Sequence, residues 1–243
     1  MSEALLEVKG VTKRFGGFTA LEGVDLVVRP GERVGLIGPN GSGKSTLVNC
    51  ICGALRNEEG AIQFEGQDIG AQPAHRRTRM GLARSFQIPK PFVSMSVLDN
   101  LCIPLLYARR RHEKLGGDRI NEAAMDVLRQ VGLAEKANAR SGGLTQVDMR
   151  KLELARALAA QPKLLISDEA MAGLSASEVD DILTLLFRLK DQGVAVIMIE
   201  HVMRAVMKFS DRVAVLVAGR KIADGDPQSV AANEDVVKAY LGE

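Results

Sequence analysis

The stretch "GPNGSGKST", Gly38 to Thr46, constrains this chain more than any other. It matches G-x-x-x-x-G-K-[ST], and it stands between a short apolar run, "RVGLI" (Arg33 to Ile37), and a segment whose apolar positions Leu47, Val48 and Ile51 recur at helical spacing. A strand that turns through glycines into a helix is the setting in which this pattern binds phosphate. Glycines let successive backbone N–H groups curl around phosphate oxygens, and the helix start directs its partial positive charge at them. The pattern predicts a buried strand over Arg33–Ile37, a helix over Lys44–Cys52, and a cradle made by Gly38, Pro39, Asn40, Gly41, Ser42, Gly43, Lys44, Ser45 and Thr46. Lys44 is expected on the β- and γ-phosphates and the Ser45 hydroxyl on Mg²⁺.

Around this element the chain changes texture twice. The first part is β-rich and punctuated by Gly and Pro: "LLEVKGVTKRFG", "VDLVVRPGERVGLIG" and "AIQFEGQDI" read as an antiparallel edge leading into the buried strand. From Ser96 to Ala160 strand signals nearly vanish, and "SVLDNLCIPLLYARRR", "INEAAMDVLRQVGL" and "DMRKLELARALAA" carry helical periodicity, with a break at "KLGGD". The alternation then resumes: "KLLISDEA" as strand, "ASEVDDILTLLFRLKDQG" as helix, "VAVIMIEH" as strand, "VMRAVMKF" as helix and "DRVAVLVAGRKIADG" as a final hairpin. Strands alternating with helices imply a parallel sheet covered on its faces. The expected organisation is an α/β core of residues 1–87 and 163–243 with an antiparallel β subdomain, interrupted by a helical subdomain over 88–162.

Four further residues carry chemistry in this frame. "LLISDE" is a buried strand ending in two acids: Asp168 is expected to hold Mg²⁺ through water, and Glu169 to polarise an attacking water as general base. His201 follows the next parallel strand, at the edge where such sheets present their ligand site, and suits a γ-phosphate sensor. Gln87, in "ARSFQIPKPF", falls at the junction of core and helical lobe. Its amide could touch Mg²⁺ or water and report nucleotide state to the lobe, or it could be a polar linker.

Composition closes off other classes. With 32 Lys plus Arg against 30 Asp plus Glu the formal charge is only +2, which argues against nucleic acid as a partner. The run "ARRRHEK" (Ala108 to Lys114) reads as a solvated helix end or loop, or as a contact with phosphate headgroups or a partner. Cys50, Cys52 and Cys102 show no CxxC spacing and no His cluster, so neither a disulfide framework nor a zinc site is expected, and a reducing cytosol fits. The start "MSEALLEVKG" lacks a signal peptide's basic and apolar regions, and no apolar run approaches the ~18 residues of a membrane span. Any membrane association is expected to be peripheral or through a partner.

Taken together, these residues resemble the ATPase subunit of ABC transporters over almost the whole chain. More narrowly, "GLARSFQIPKPFVSMSVLDNL", "MIEHVMRAVM" and the tail "GRKIADGDPQSVAANEDVVKAYLGE" are similar to the ATP-binding subunits of branched-chain amino acid importers. The resemblance implies a P-loop ABC ATPase fold, ATP and Mg²⁺ as cofactors, Phe15 stacking on adenine, "SFQ" as the Q-loop, and Glu200 with His201 as the switch. It also implies a second ATPase subunit, membrane permeases and, indirectly, a solute-binding protein, with this chain at the cytoplasmic face of the membrane.

The same resemblance exposes a departure. In the family each ATP is sandwiched between one P-loop and the signature of the facing subunit, usually LSGGQ. Counting back from Arg156 in "RKLELARALA" places those five positions at Leu144, Thr145, Gln146, Val147 and Asp148, so the SGG of Ser141 to Gly143 is out of register. Thr145 keeps a hydroxyl, but both glycines are gone. Val147 restricts close backbone approach, and Asp148 is expected to repel a phosphate. Ala170, Ser175 and Ser167 depart from the family pattern as well. A decayed signature favours a heterodimer, because a homodimer would contain two of them. The rival readings are a regulatory or scaffold subunit with negligible turnover, and a soluble ABC protein acting on nucleic acid.

Overall fold

The computed structural model describes residues 4–108 and 117–241. Strands β1 (Leu6–Phe15) and β2 (Phe18–Val28) form a hairpin through Gly16 and Gly17, and β3 (Arg33–Ile37) then runs into helix α1 (Lys44–Cys52), as the phosphate pattern predicts. Strands β4 (Glu59–Phe64) and β5 (Gln67–Asp68) complete an antiparallel sheet in the order β2-β1-β4-β5. Helix α2 (Ala74–Met80) and strand β6 (Leu82–Ser85) follow. Neither was expected. α2 is short and rich in arginine, and β6 has four residues with a charge in the middle, too little for a periodic pattern to register.

Helices α3 (Val97–Tyr107), α4 (Gly117–Val131) and α5 (Gln146–Ala159) occupy the strand-poor region and pack on one another through Leu101, Leu105, Ala124, Leu128, Leu152 and Ala155. The basic run from 109 to 114 lies outside the described residues. Beyond it the chain alternates as expected: β7 (Leu164–Asp168), α6 (Ala176–Asp191), β8 (Ala195–Ile199), α7 (Met203–Phe209) and the hairpin β9 (Arg212–Val217) with β10 (Arg220–Gly225). Two further helices, α8 (Pro227–Ala231) and α9 (Glu234–Leu241), close the chain. Asp226 accepts from the backbone of Gln228 and Ser229 to start α8, with Pro227 at its first position, where a missing N–H costs nothing.

The second sheet has the order β10-β9-β3-β8-β7-β6, parallel except for β10. Both faces of its middle are covered, so the inner strands β3, β7, β8 and β9 are buried at nearly every step rather than at alternate ones. Along β7 and β8, Leu164, Ile166, Ala195 and Ile197 join the core beneath the antiparallel sheet, with Leu47 and Ile51 of α1. Leu165, Val196 and Met198 join the core on the other face, with Val206 and Phe209 of α7 and Leu186 of α6. The carboxyl ends of β3, β6, β7 and β8 therefore open at one edge, and each loop leaving it carries a residue of interest.

Candidate active site

The loop after β3 is shaped by backbone that only glycine tolerates. Gly38, Gly41 and Gly43 have φ of 152°, 78° and 102°. A Cβ on Gly38 would lie 2.0 Å from Leu216 O, and one on Gly43 would lie 2.7 Å from Ala20 O. Within the loop, Lys44 Nζ donates to Gly38 O at 2.7 Å and Pro39 O at 3.0 Å. Burial pushes the Lys44 ammonium below the usual lysine range, opposed by the charges of Glu169 and Asp168. Among the described residues none accepts the backbone N–H of Gly41, Gly43, Lys44, Ser45 or Thr46. A run of unclaimed donors at a helix start, beside a cation held by its own loop, fits a polyphosphate.

Facing this loop is a cavity of 320 Å³ lined by Phe15, Phe18, Asn40, Lys44, Ser45, Thr46, Glu169 and His201, among others. Phe15 and Phe18 pair across the β1–β2 turn and are both exposed, which gives an aromatic wall on the far side of the cradle. Phe18 escaped sequence reading because a lone aromatic after "GG" has no pattern. Hard oxygen donors suited to Mg²⁺, the Ser45 hydroxyl and the Asp168 carboxylate, lie on α1 and at the end of β7.

Glu169 leaves β7 with φ 48°, left-handed backbone that a non-glycine residue adopts at a cost of about 1 kcal/mol or more. Its N–H is held by Ile199 O at 2.8 Å. Its carboxylate meets two of the predicted residues at once: His201 Nε2 lies 3.1 Å from Oε1, and Gln87 Nε2 donates to Oε2. The Gln87 amide nitrogen is therefore engaged with the acid. Arg150 of α5 extends the network, donating to Gln87 O and, at 3.3 Å, to Ala172 O. Glu200 is buried beside it and accepts the Met171 N–H at 2.8 Å. Burial pushes the Glu200 carboxyl up to about 7, with Glu169 adding to the rise and the Met171 N–H opposing it. Arg150 and Arg84, which pairs with Asp168, lay outside sequence reading because an arginine in a helix or strand carries no motif of its own.

The signature region resolves differently from its expected electrostatics. Thr145 is the N-cap of α5, its Oγ1 accepting the Asp148 N–H at 3.3 Å. Asp148 does not stand as an unpaired charge. It is buried, accepts from Thr145 Oγ1 at 2.8 Å and forms an ion pair with Lys136. Burial raises its carboxyl, but hydrogen bonds from Lys136 and Thr145 with the charges of Lys136 and Lys151 outweigh that and hold it below the usual range. Asp148 thus carries a partner that the sequence did not reveal, Lys136, close beside its carboxylate. Ser141, in a 3-10 turn, is fully buried and donates to Phe92 O at 2.9 Å, so the SGG cannot present its hydroxyl outward. Of the smaller departures, Ser175 closes a capping box with Glu178 at the start of α6, and Ser167 Oγ is buried without a partner among the described residues.

A nucleotide-binding P-loop, a strand-end acid pair and an inserted helical layer over a mixed sheet define an ATP-binding cassette. The chain belongs to the ABC transporter family, whose model matches residues 21–172. A second model, of the branched-chain amino acid ATP-binding cassette transporter, matches residues 220–243. The chain is 40% identical, over the full length of both, to the high-affinity branched-chain amino acid transport ATP-binding protein BraF of Pseudomonas aeruginosa. It is 37% identical, again over both full lengths, to LivG of Escherichia coli, which carries the same description. A crystal structure of a nucleotide-free ATP-binding cassette from an ABC transporter superposes with a TM-score of 0.90 at 32% identity, covering 99% of this chain and 100% of that one. The ADP conformation of such a cassette gives 0.89 at 32% identity, covering all of both chains. This chain is accordingly an ATP-binding subunit of a transporter.

Proposed function

We propose that this chain is the ATPase subunit of an importer for branched-chain amino acids or a related small solute, held peripherally at the cytoplasmic face of the membrane by its permeases. The observation that carries the reading is the Glu169 carboxylate, gripped by His201 and Gln87 at the mouth of the P-loop cavity. Glu169 is the general base: it takes a proton from the attacking water as that water adds to the γ-phosphorus, and the β–γ bridging oxygen leaves with its electron pair. His201 orients Glu169 and senses the γ-phosphate. Gln87, tied to Arg150 of the helical layer, reports the state of the site to that layer. Lys44 and the free N–H groups would hold the phosphates, Phe15 would stack on adenine, and Ser45, Asp168 and the Gln87 side-chain oxygen would hold Mg²⁺. When bound, that ion would supply charge neutralisation at the phosphoryl group.

Among the described residues no helix is long and apolar enough to cross a membrane. Exposed apolar side chains include Phe86, Ile88, Phe92 and Val93 in the segment after β6 and Leu106 and Tyr107 at the end of α3, and Phe86 and Tyr107 line one groove. An exposed apolar group of this kind suits docking on the permeases. Loss of both signature glycines favours a heterodimer whose partner supplies an intact signature. Reconstitution of the chain with its permeases, partner ATPase and binding protein in vesicles tests the reading. ATP-dependent leucine uptake that fails with Glu169→Gln in this chain supports it. Uptake that is indifferent to that change assigns the chain a regulatory role without turnover.

A further inference from the structure

Arg84 joins three parts of the molecule. β6 pairs in parallel with β7, Arg84 lying opposite Ile166 and Ser85 opposite Ser167, which brings the arginine to the strand end that carries Asp168. Arg84 Nη2 donates to Asp168 Oδ2 at 2.5 Å, and Nη1 donates to Asn49 Oδ1 of α1 at 2.7 Å. The pair is shielded from water, with side chains 16% and 7% exposed. The guanidinium also stacks on the Phe86 ring, 5.2 Å from its centroid. Phe86 and Arg84 together line a largely apolar groove of about 440 Å³ with Ile103, Pro104, Tyr107 and Arg156. One oxygen of Asp168 is thus spoken for, while no described residue donates to Oδ1.

We propose that Arg84 tunes the divalent-cation site: paired with one oxygen of Asp168, it limits how tightly that carboxylate draws the metal. The inference rests on the reading that Asp168 holds Mg²⁺. A guanidinium in a pair withdrawn from water offsets much of the carboxylate's charge, and a metal approaching Oδ1 meets a second positive charge a few ångströms behind it. Asn49 and Phe86 hold the guanidinium from its other sides, so it cannot swing away without breaking both contacts. The consequence is a site restrained in affinity, and restraint favours release of the metal with product at each cycle. An ion pair serving the fold alone has a different signature: its removal leaves metal binding unchanged or weakens it.

The test is Mn²⁺ binding to the full chain in the presence of ADP, followed by electron paramagnetic resonance, with thermal unfolding recorded alongside. Arg84→Gln, which removes the charge, should tighten Mn²⁺ by about tenfold, whereas Arg84→Lys, which keeps it, should stay within about twofold of the parent. Phe86 is 45% exposed, so Phe86→Ala leaves the core untouched. By loosening the guanidinium it should move affinity in the same direction, about threefold, and it decides the matter if Arg84→Gln does not fold. Asp168→Asn in the parent should weaken Mn²⁺. If it does not, the assignment of Asp168 falls and the proposal with it. If Asp168→Asn weakens Mn²⁺ while Arg84→Gln and Phe86→Ala leave it unchanged or weaker, the role of Arg84 alone is overturned.

Discussion

His201 Nε2 and Glu169 Oε1 lie 3.1 Å apart because their strands are parallel neighbours in register. Asp168, the last residue of β7, stands opposite Ile199, the last residue of β8, so the loops that follow leave the sheet at the same edge. The left-handed backbone of Glu169 keeps its N–H on Ile199 O while the side chain turns to the histidine. Gln87 claims the other carboxylate oxygen. Under the proposed mechanism, a water activated there would share the Glu169 carboxylate with His201 and Gln87.

Lys44 gives the first prediction. Its ammonium is already desolvated and held by two loop carbonyls, so phosphate binding needs little further ordering. Lys44→Ala removes a charge-assisted contact of about 1.5–3 kcal/mol, and affinity for MgATP should fall by about ten- to a hundredfold in titration calorimetry. Unchanged affinity would remove the phosphates from this loop.

Glu200 should make stability depend on pH. Its folded-state value is raised from 4.5 to about 7, so its contribution is complete below pH 4.5 and is lost as pH climbs through 7. Between pH 5 and 8.5 the parent should lose about 2–3 kcal/mol through this group. Glu200→Gln keeps an acceptor for the Met171 N–H and cannot ionise, so urea unfolding of the variant should show a flatter dependence and a gain relative to the parent at pH 8.5. Parallel pH curves would refute the assignment.

The signature can be repaired. With Asp148 paired to Lys136, the proposed obstacles to close approach are Gln146 and Val147. Gln146→Gly with Val147→Gly, leaving the Thr145 cap and the Asp148 pair intact, should raise turnover at the composite site this chain closes on its partner by about tenfold, equivalent to ~1.4 kcal/mol. The glycines weaken the start of α5 by ~1 kcal/mol each, so melting temperatures accompany the rates. A folded double variant with no gain would show that another feature limits that site.

Much of this was legible in the chain. Arg33–Ile37 and Lys44–Cys52 came out at the expected residues because the phosphate loop imposes its own boundaries, and Asp168, Glu169 and His201 followed from strands long and apolar enough to recognise. Arg84 and Arg150 did not, since their partners Asp168, Gln87 and Ala172 are distant in sequence and only the parallel register and the packing of α5 bring them together. Asp148 shows the limit in the other direction. Its charge was plain, but Lys136, which pairs with it, belongs to a three-residue 3-10 turn with no pattern to read.

The most direct measurement is single-turnover hydrolysis of ATP by the assembled ATPase dimer carrying Glu169→Gln in this chain and an inactivated base in the partner. General-base removal should slow the chemical step at this chain's P-loop by about 10²–10⁴-fold while nucleotide affinity stays within about twofold of the parent. Hydrolysis at the parental rate, with binding intact, would contradict Glu169 as the base.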